Sequence, residues 1–533
     1  MDDETEEHKS NSDKCPLLHK ENTFDQYSYT SLGSVQDDSG NEDGSDSEGP
    51  GHGRGSATKE TVRLYNRRFY ILTLFSLIAI VQGLVWNTWS PISQSAKRVF
   101  HWSDGDVALL ADWGPITYVI SMVFFSWLLD TKGLKVSCLV CSFLLAGGTG
   151  IRCITEEQPW ANWLMHSGQI LNGFAGPIAM AGCTVISAVW FPPNQRTTAT
   201  SIGAMCNVFG VAVSFLIGPL LVPQHRLDCN MTQLLDYNES QTMLHSSSQS
   251  GNYSDPGCGN VTAMKELLGQ ERLDVMKLLY IEFGIAGSVF LATLLYFPAK
   301  PPHPPSITAT VDRADFKAGV MSLLKNRHFW LISLVYGLSI GIENTWMSVL
   351  DINFNKLGVS QDQAGWMGFY ATVAGTIGAM VVARFADTFA KHMKVYLLVL
   401  YALSSGAFIW IALMFIQVAP FQTEYLYIAV VLGGLCLNSA VPLLYELSCE
   451  ITFPVSEGVT SGALTLYFNI SALVFLSVMM IPNIGDSWTT WSVPGTIFVC
   501  IPMLLIVKEK YNRLNMDIEV ESPKENARRP DET

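Results

Sequence analysis

Four carboxyl side chains interrupt long apolar stretches of this chain. They are Asp112, Glu282, Glu343 and Glu446. Desolvation disfavours the charged form of a carboxyl group, so one inside a membrane can take up and release a proton near neutral pH. We predict proton exchange here, first at Glu446, which follows Asn438 by two helical turns and so lies deepest in its stretch. A structural role is the alternative for each.

Amide and aromatic side chains occupy the same stretches. Aromatic faces stack on rings or hold cations, and amides supply hydrogen bonds, so together they suit a small-molecule pocket. We predict contacts from Trp86, Asn87, Trp89, Asn207, Asn344, Trp346, Asn438 and Asn469. Further aromatic candidates are Trp366, Tyr370 and Tyr445. Interfacial belts or lipid-facing packing would explain the aromatic residues equally simply.

Two short charged motifs stand at comparable points of the chain. The first contains Asp130, Lys132 and Lys135, and the second contains Arg384 and Asp387. A carboxylate at a helix end can accept hydrogen bonds from a neighbouring helix N-terminus, where the dipole favours an anion. We predict that both motifs act as gates, because two copies at equivalent loops are harder to explain as ordinary interfacial charge.

Twelve apolar stretches must position these groups. A bilayer core of about 30 Å needs roughly 20 apolar residues per helix. We predict an all-α membrane protein with spans at 69–92, 107–129, 136–154, 163–190, 197–222, 276–297, 329–350, 362–383, 395–416, 424–447, 458–481 and 488–507. Six spans on each side of a linker predict two six-helix bundles, at 67–297 and 329–507.

A short internal repeat supports this division. Gly83-Leu-Val-Trp-Asn-Thr-Trp89 in the first span resembles Gly341-Ile-Glu-Asn-Thr-Trp346 in the seventh. Internal repeats are typical of transporters, whose sites lie near the membrane midplane between the repeats. We therefore rank Glu343 second among the proton candidates.

Composition agrees with a membrane protein. Only 15% of residues are charged, against about 25% in soluble domains. Residues 1–58 hold 14 acidic and 4 basic residues, so this tail carries most of the net charge of −14. It is too polar to bury a core, and we predict that residues 1–66 are disordered.

Charge distribution predicts the orientation. Short loops on the side of the termini are richer in Lys and Arg, which favours cytosolic termini, a cytosolic linker at 298–328 and a cytosolic tail at 508–533. The loop at 223–275 should then be lumenal. It holds four N-x-[ST] glycosylation sequons, at Asn230, Asn238, Asn252 and Asn260. Cys229 and Cys258 lie in the same loop and could form a disulfide.

The N-terminal tail carries a sorting signal. Asp13 followed by Leu17 and Leu18 fits the acidic dileucine pattern that clathrin adaptors bind. We favour a lysosomal membrane over the plasma membrane on this basis.

A family resemblance adds to these predictions. It rests on Val81–Trp89, Trp113–Pro115, Leu129–Gly133, Gly168–Gly173, Tyr296–Pro298, Arg384–Asp387 and Pro454–Gly458. Over roughly residues 65–515 the chain resembles the feline leukaemia virus subgroup C receptor-related transporters of the major facilitator superfamily. The lysosomal member of that family is the most similar. The resemblance implies a twelve-helix carrier with pyridoxine as the substrate.

The chain departs from the family pattern in places. Relatives that move choline and ethanolamine carry a glutamine beside the asparagine of span five and another in span eleven, where this chain has Val208 and Leu473. Gln169 stands where the superfamily usually has an arginine, so a carboxylate–arginine pair is not expected there.

We therefore predict a proton-coupled carrier that works by alternating access. Its partners would be a small-molecule substrate, protons, membrane lipid and a clathrin adaptor, with no nucleic acid, cofactor or metal. The alternatives are a glycosylated receptor or scaffold and a choline- or haem-type carrier. An enzyme is disfavoured because no nucleophile–base set, metal-ligand spacing or phosphate-binding glycine loop is evident.

Overall fold

A computed structural model describes most of the chain between residues 63 and 518. The described ranges are 63–223, 261–354, 357–359, 361–389, 391–479, 481 and 487–518. The acidic tail with Asp13, Leu17 and Leu18, the four sequons, and Cys229 and Cys258 all lie outside them.

Within those ranges the regular elements are helices. They are α1 (Arg67–Trp86), α2 (Ser93–Phe100), α3 (Asp104–Thr131), α4 (Gly133–Arg152), α5 (Trp160–Trp190), α6 (Arg196–Leu221), α7 (Val261–Leu295), α8 (Phe316–Lys325), α9 (Arg327–Tyr336), α10 (Ile342–Ser348), α11 (Leu350–Phe354), α12 (Gln361–Thr388), α13 (Met393–Phe415), α14 (Thr423–Thr452), α15 (Glu457–Met479) and α16 (Ser487–Ile506). Helices α1–α7 form the first half and α9–α16 the second half, and α8 lies in the linker.

Eleven helices of the described chain are long and apolar enough to cross a membrane. The remaining span is α9 and α10, which a π-helical turn at Gly337–Gly341 separates. The sequence predicted one continuous helix here. At this turn the backbone lies so close to α15 that a Cβ on Gly337 would be 2.8 Å from the Tyr467 carbonyl oxygen. Close packing on α15 therefore accompanies the departure from regular α-helix.

Small residues also bring α1 against α6. A Cβ on Gly83 would lie 2.1 Å from the Asn207 carbonyl oxygen, and one on Gly210 equally close to that of Ile80. Such contacts are typical of helix pairs in membranes, where close backbone approach replaces the hydrophobic driving force. The first half is thereby tightly packed around α1.

Two predicted boundaries were wrong. The lumenal loop was predicted to reach residue 275, but α7 begins at Val261. Its polar first turns pack on the protein instead of crossing lipid, as in the 2.6 Å ion pair between Glu271 and Arg98. The cytosolic tail was predicted to begin at residue 508, but residues 508–518 pack between the two halves, because Arg513 and Asp517 are bound by buried charges.

The molecule has two faces at the membrane surfaces. We call the face where α1 begins, and where the linker and residues 507–518 lie, the linker face. The opposite face, where α6 ends at Leu221, is the loop face.

Candidate functional site

At the linker face the carboxylate of Asp387 joins the two halves. Asp387 is at the end of α12, and it accepts hydrogen bonds from the backbone N–H groups of Thr197 and Thr198 at 2.9 and 2.8 Å. The Thr198 hydroxyl donates a third bond at 2.5 Å. These residues form the first turn of α6, where the helix dipole favours an anion. The carboxylate thus holds the second half against the first.

The other charged motif makes a related contact. Asp130 at the end of α3 lies near Ser456, the residue before α15, and the preceding Leu129 packs so closely on Gly458 that a Cβ there would be 2.9 Å from its side chain. Arg384 donates to the Asn194 carbonyl oxygen of the first half at 3.5 Å. Lys132 and Lys135 are exposed. Both predicted motifs therefore lie at the seam between the halves on the linker face.

A second cluster at the linker face is centred on Arg513 of the C-terminal segment. Its guanidinium forms ion pairs with Glu446, with Glu450 at 3.1 Å and with Glu457 at 3.4 Å. All four side chains are buried. The Glu446 carboxylate also accepts a 2.6 Å hydrogen bond from Thr200 of the first half.

This arrangement corrects the sequence interpretation of Glu446. The residue lies in the last two turns of α14, near the linker face, and not at the deepest point of the span. Its burial arises because residues 507–518 cover the helix ends, which apolar periodicity does not indicate. The carboxylate of Glu446 is bound by Arg513 and by Thr200, so the residue joins separate parts of the chain at the linker face, and proton exchange there stays a prediction.

Asp517 extends the cluster to the first half. It forms a 3.0 Å ion pair with Arg196 at the start of α6. Thr308 of the linker donates its backbone N–H to Asp517 at 2.9 Å, and Ser306 accepts a 2.5 Å bond from Arg196. We call Arg513 and Asp517 the C-terminal clamp, because together they connect both halves and the linker.

The middle of the molecule contains a seam of tyrosine and amide side chains. Tyr118 of α3 hydrogen-bonds to Thr465 of α15, whose carbonyl oxygen accepts from Asn469 at 2.8 Å. Tyr445 of α14 donates to the Met180 carbonyl oxygen of α5 at 3.4 Å and packs edge-on against Tyr336. These tyrosines are buried where the halves meet.

Two more predicted amides lie in the middle of their helices. Asn207 donates to Gln82 at 2.6 Å, within the first half. Asn438 donates to the Gly434 carbonyl oxygen at 2.9 Å, within α14. Of the predicted residues, Asn207 and Asn438 thus lie in the middle of their helices and Asn469 and Tyr445 belong to the seam, while Tyr118 and Tyr336 were missed. A tyrosine among apolar residues resembles a core residue in sequence, and only the pairing across the seam distinguishes it.

The predicted tryptophans lie nearer the loop face. Trp86 is half-buried and donates to the Ala111 carbonyl oxygen at 3.1 Å, and the neighbouring Asn87 donates to Ser214 at 2.8 Å. Trp89 packs against Phe100 and Trp102. Trp346 packs in the same edge-on manner against Phe354 and Phe408. The two repeat tryptophans are therefore core residues of their own halves.

Trp366 and Tyr370 lie near the loop-face start of α12. They stack on each other and are about half exposed. Their exposure is compatible with the alternative of an interfacial or lipid-facing position.

A buried ion pair lies in the loop-side part of the first half. Arg152 at the end of α4 donates to Glu282 of α7 at 2.8 Å, and Thr88 donates to the other carboxylate oxygen at 2.7 Å. Gln169 accepts from Arg152 at 3.4 Å. A cavity of about 10 Å³ borders Thr88 and Glu282, which is roughly the room needed for one water molecule.

This pair changes two sequence expectations. Arg152 falls at the end of the predicted span 136–154, where a cation was expected to reach the membrane surface, but it is fully buried. The arginine missing at Gln169 is supplied from the neighbouring helix, so a carboxylate–arginine pair is present after all. Since Arg152 ends an apolar stretch, the sequence could not distinguish a snorkelling cation from a buried one.

The two remaining carboxyl groups differ in burial. Asp112 is half-buried near the loop-face end of α3. Glu343 in α10 is 1% exposed, and its Oε1 has no hydrogen-bond partner in the described structure. The adjacent Asn344 is half-buried. A buried carboxyl without a partner is costly in its charged form, which makes Glu343 the unusual group of this set.

Comparisons with known proteins agree with this architecture. Residues 74–226 match the family model of the Major Facilitator Superfamily. The Xenopus laevis "Solute carrier family 49 member 4 homolog" is 36% identical over 462 residues, which are 86% of this chain and 94% of that protein. The Felis catus "Choline/ethanolamine transporter FLVCR1" is 27% identical over 489 residues, or 87% and 77% of the two chains. The crystal structure of the transporter FucP in the outward conformation has a TM-score of 0.62 at 15% identity, over 84% of this chain and 100% of that one.

Proposed function

Because this chain belongs to solute carrier family 49 and is a secondary transporter of the major facilitator superfamily, we propose that it carries a small organic metabolite across the lysosomal membrane together with protons. The closed seam at the linker face supports alternating access. Asp387, Glu446 and the C-terminal clamp join the halves there through contacts that must break when this face opens. In that mechanism the midplane becomes accessible from one side at a time.

Glu343 is the proposed proton carrier. It is buried, its Oε1 has no partner in the described structure, and it lies in the first span of the second half, next to a π-helical turn. Protonation removes the cost of burying an unpaired charge. Movement of this span would change the surroundings of Glu343 and with them its proton affinity.

The proposed substrate is a neutral aromatic alcohol such as pyridoxine. Tyr118, Tyr336 and Tyr445 offer ring faces and hydroxyl groups at the seam, and Asn469 adds an amide. Such a set can stack on a ring and hydrogen-bond to its hydroxyl groups. A choline-like cation is the alternative, because relatives are named choline/ethanolamine transporters and tyrosine faces also hold cations.

The proposed orientation places the linker face in the cytosol. Exposed Lys132, Lys135, Lys317, Lys325 and Arg327 lie on that face, and cytosolic loops carry an excess of such residues. The sequons of the loop between α6 and α7 would then face the lumen, as glycosylation requires. The gating role of both charged motifs follows from the same orientation.

Uptake measurements at two pH values test the function. Leu17 and Leu18 are both changed to alanine to bring the protein to the cell surface, and labelled pyridoxine and choline are supplied separately at external pH of about 5.5 and about 7.5. We expect pyridoxine uptake that is stronger at the acidic pH.

Two isosteric variants make the test specific. Glu343→Gln should abolish the acid stimulation, whereas Glu424→Gln, at an exposed glutamate in the first turn of α14, should retain it. Uptake that does not depend on pH would contradict proton coupling. Choline uptake without pyridoxine uptake would contradict the substrate and leave the carrier in place.

A further inference from the structure

A tryptophan and a histidine form a hydrogen-bonded pair in the loop-side part of the first half. The indole N–H of Trp113 in α3 donates to Nδ1 of His166 in α5 at 3.0 Å. The two rings are edge-on, with their centroids 6.5 Å apart and an angle of 78° between their planes. Both residues are half-buried, and both helices begin at the loop face. The function proposed above does not use either residue.

The direction of this hydrogen bond fixes the protonation state of the histidine. An indole nitrogen only donates, and an imidazole nitrogen accepts only when it carries no proton. The bond between Trp113 and His166 therefore exists only with a neutral imidazole whose proton is on Nε2. A protonated imidazole donates from both nitrogens, so protonation of His166 must break the bond. Histidine is the side chain whose ordinary change of charge falls between pH 5 and 8.

The charged groups around His166 come from two neighbouring helices. Asp106 in the first turn of α3 acts on it electrostatically, and Asp112 on the same helix is half-buried. From α4, Arg152 lies against α5, but it is paired with Glu282. Partial burial disfavours a protonated imidazole, and a nearby carboxylate favours it. Because these two effects oppose each other, His166 is not held permanently in one charge state.

A second indole contacts the same turn of α3, and its bond does not depend on pH. Trp86 of α1 donates its indole N–H to the Ala111 carbonyl oxygen at 3.1 Å. Its ring packs so closely on Gly114 that a Cβ there would have no room. A backbone carbonyl does not titrate in the range of a histidine. Of these two indole contacts, only that of Trp113 can respond to acid.

The position of the pair relates it to the transport seam. Tyr118, five residues further along α3 than Trp113, hydrogen-bonds to Thr465 of the second half. Between the pair and the seam α3 and α5 are in close contact, because Thr117 leaves no room for a Cβ on Gly173. Loss of the indole–imidazole bond would therefore free the loop-side turns of α3 and leave its contacts at the seam in place.

We propose that Trp113 and His166 form a pH-sensitive switch on the loop-face side of the first half. At neutral pH the imidazole holds the indole and fixes the loop-side turns of α3 against α5, and in acid the protonated imidazole releases the indole. In the proposed orientation this side faces the lumen, so the inference rests on the proposed function for the compartment that supplies the acid. The switch responds to lumenal pH separately from proton exchange at Glu343.

Fluorine NMR of the full-length protein tests the switch. The protein is labelled with 5-fluorotryptophan and reconstituted in lipid nanodiscs. The resonances are assigned from Trp86→Phe and Trp113→Phe, or from Trp113→Tyr if the phenylalanine variant does not fold. We expect the Trp113 resonance to shift in a single titration between pH of about 7.5 and about 5.0. The Trp86 resonance is the internal control and should not shift, because its acceptor is a backbone carbonyl.

Two variants separate His166 from other titrating groups. His166→Gln keeps an acceptor oxygen but does not titrate, so it should abolish the shift of the Trp113 resonance. Asp106→Asn removes the charged neighbour and should retain the shift, because the imidazole is still present. The titration in the protein with native His166 does not depend on how either variant folds.

Three results would overturn the inference: a Trp113 resonance that does not shift, one that shifts equally in His166→Gln, and one that shifts together with that of Trp86. The measurement does not depend on transport. A fixed Trp113 resonance with acid-stimulated uptake would reject the switch and leave the proposed function standing. A titrating Trp113 resonance without uptake would support the switch and count against the proposed function.

Discussion

Arg196 at the start of α6 and Asp517 near the end of the described chain form a buried ion pair, with 3.0 Å between Nη1 and Oδ2. The pair connects the first half to a segment that Arg513 anchors on the second half. Because both charges are buried, removal of one leaves the other without compensation. The C-terminal clamp is therefore part of what keeps the linker face closed.

Asp517→Asn should weaken this closure. Breaking a buried pair costs about 3–5 kcal/mol, so we expect a lower melting temperature and faster hydrogen–deuterium exchange at residues 196–200. Asp312→Asn, at an exposed linker residue, is the matched control. If hydrogen–deuterium exchange at residues 196–200 were as slow in Asp517→Asn as in the wild type, the C-terminal clamp would not hold α6.

Asp387→Asn should open the linker face more often. Each hydrogen bond to a charged group is worth about 1.5–3 kcal/mol, and this carboxylate accepts three. Native Cys449 is buried 3.9 Å from Ser461, which hydrogen-bonds to Thr184 of the first half at 2.8 Å. Alkylation of this thiol by N-ethylmaleimide therefore reports opening of the seam. We expect faster alkylation of Cys449 in the variant.

Two comparisons make that alkylation result specific. Buried Cys141, which lies in α4 and contacts the Ala175 carbonyl oxygen, should stay protected, because it is away from the seam. Asp315→Asn, at an exposed linker residue, should behave as the wild type. Equal acceleration at both cysteines would mean general unfolding and not gating.

Glu282→Gln should destabilise the first half. The change leaves Arg152 fully buried without its counter-charge, and such losses are about 3–5 kcal/mol. Combining it with Arg152→Gln should recover part of the melting temperature, and the double-mutant cycle then gives the coupling between the two residues. Strictly additive losses would indicate that the pair does not interact energetically.

Glu343→Gln should not lower the stability of the protein, in contrast to Glu282→Gln. The carboxyl is buried and its Oε1 is unpartnered, so a neutral side chain of the same shape avoids the cost of a buried charge. We expect a melting temperature equal to or above that of the wild type at pH of about 7.5, with a smaller difference at about 5.5, because the difference vanishes only below the pKa of about 4.3 that Glu has in the unfolded chain. A large loss of stability at both values would reveal a structural partner and disqualify Glu343 as the proton carrier.

Several features of this protein follow from local sequence. Twelve membrane segments could be predicted because a span needs only a run of apolar residues of sufficient length, and eleven of them are single helices in the described chain. The charged motifs at Asp130 and Asp387 could be recognised because they recur at equivalent loops. Their neighbours across the seam could not be named, since no local pattern relates Thr198 to Asp387.

The roles of the buried charges depended on tertiary structure. Glu446 and Glu343 look alike in sequence, as single carboxylates in apolar stretches, yet one is bound by Arg513 and the other has an oxygen without a partner. Arg152 stands at the end of an apolar segment and Arg513 in the polar stretch beyond one, and at both kinds of position a cation usually extends to water. Whether such a charge is neutralised depends on which distant segment of the chain covers it. Only the folded chain brings Glu282 to Arg152, and only the folded chain brings residues 507–518 to the start of α6 and the end of α14.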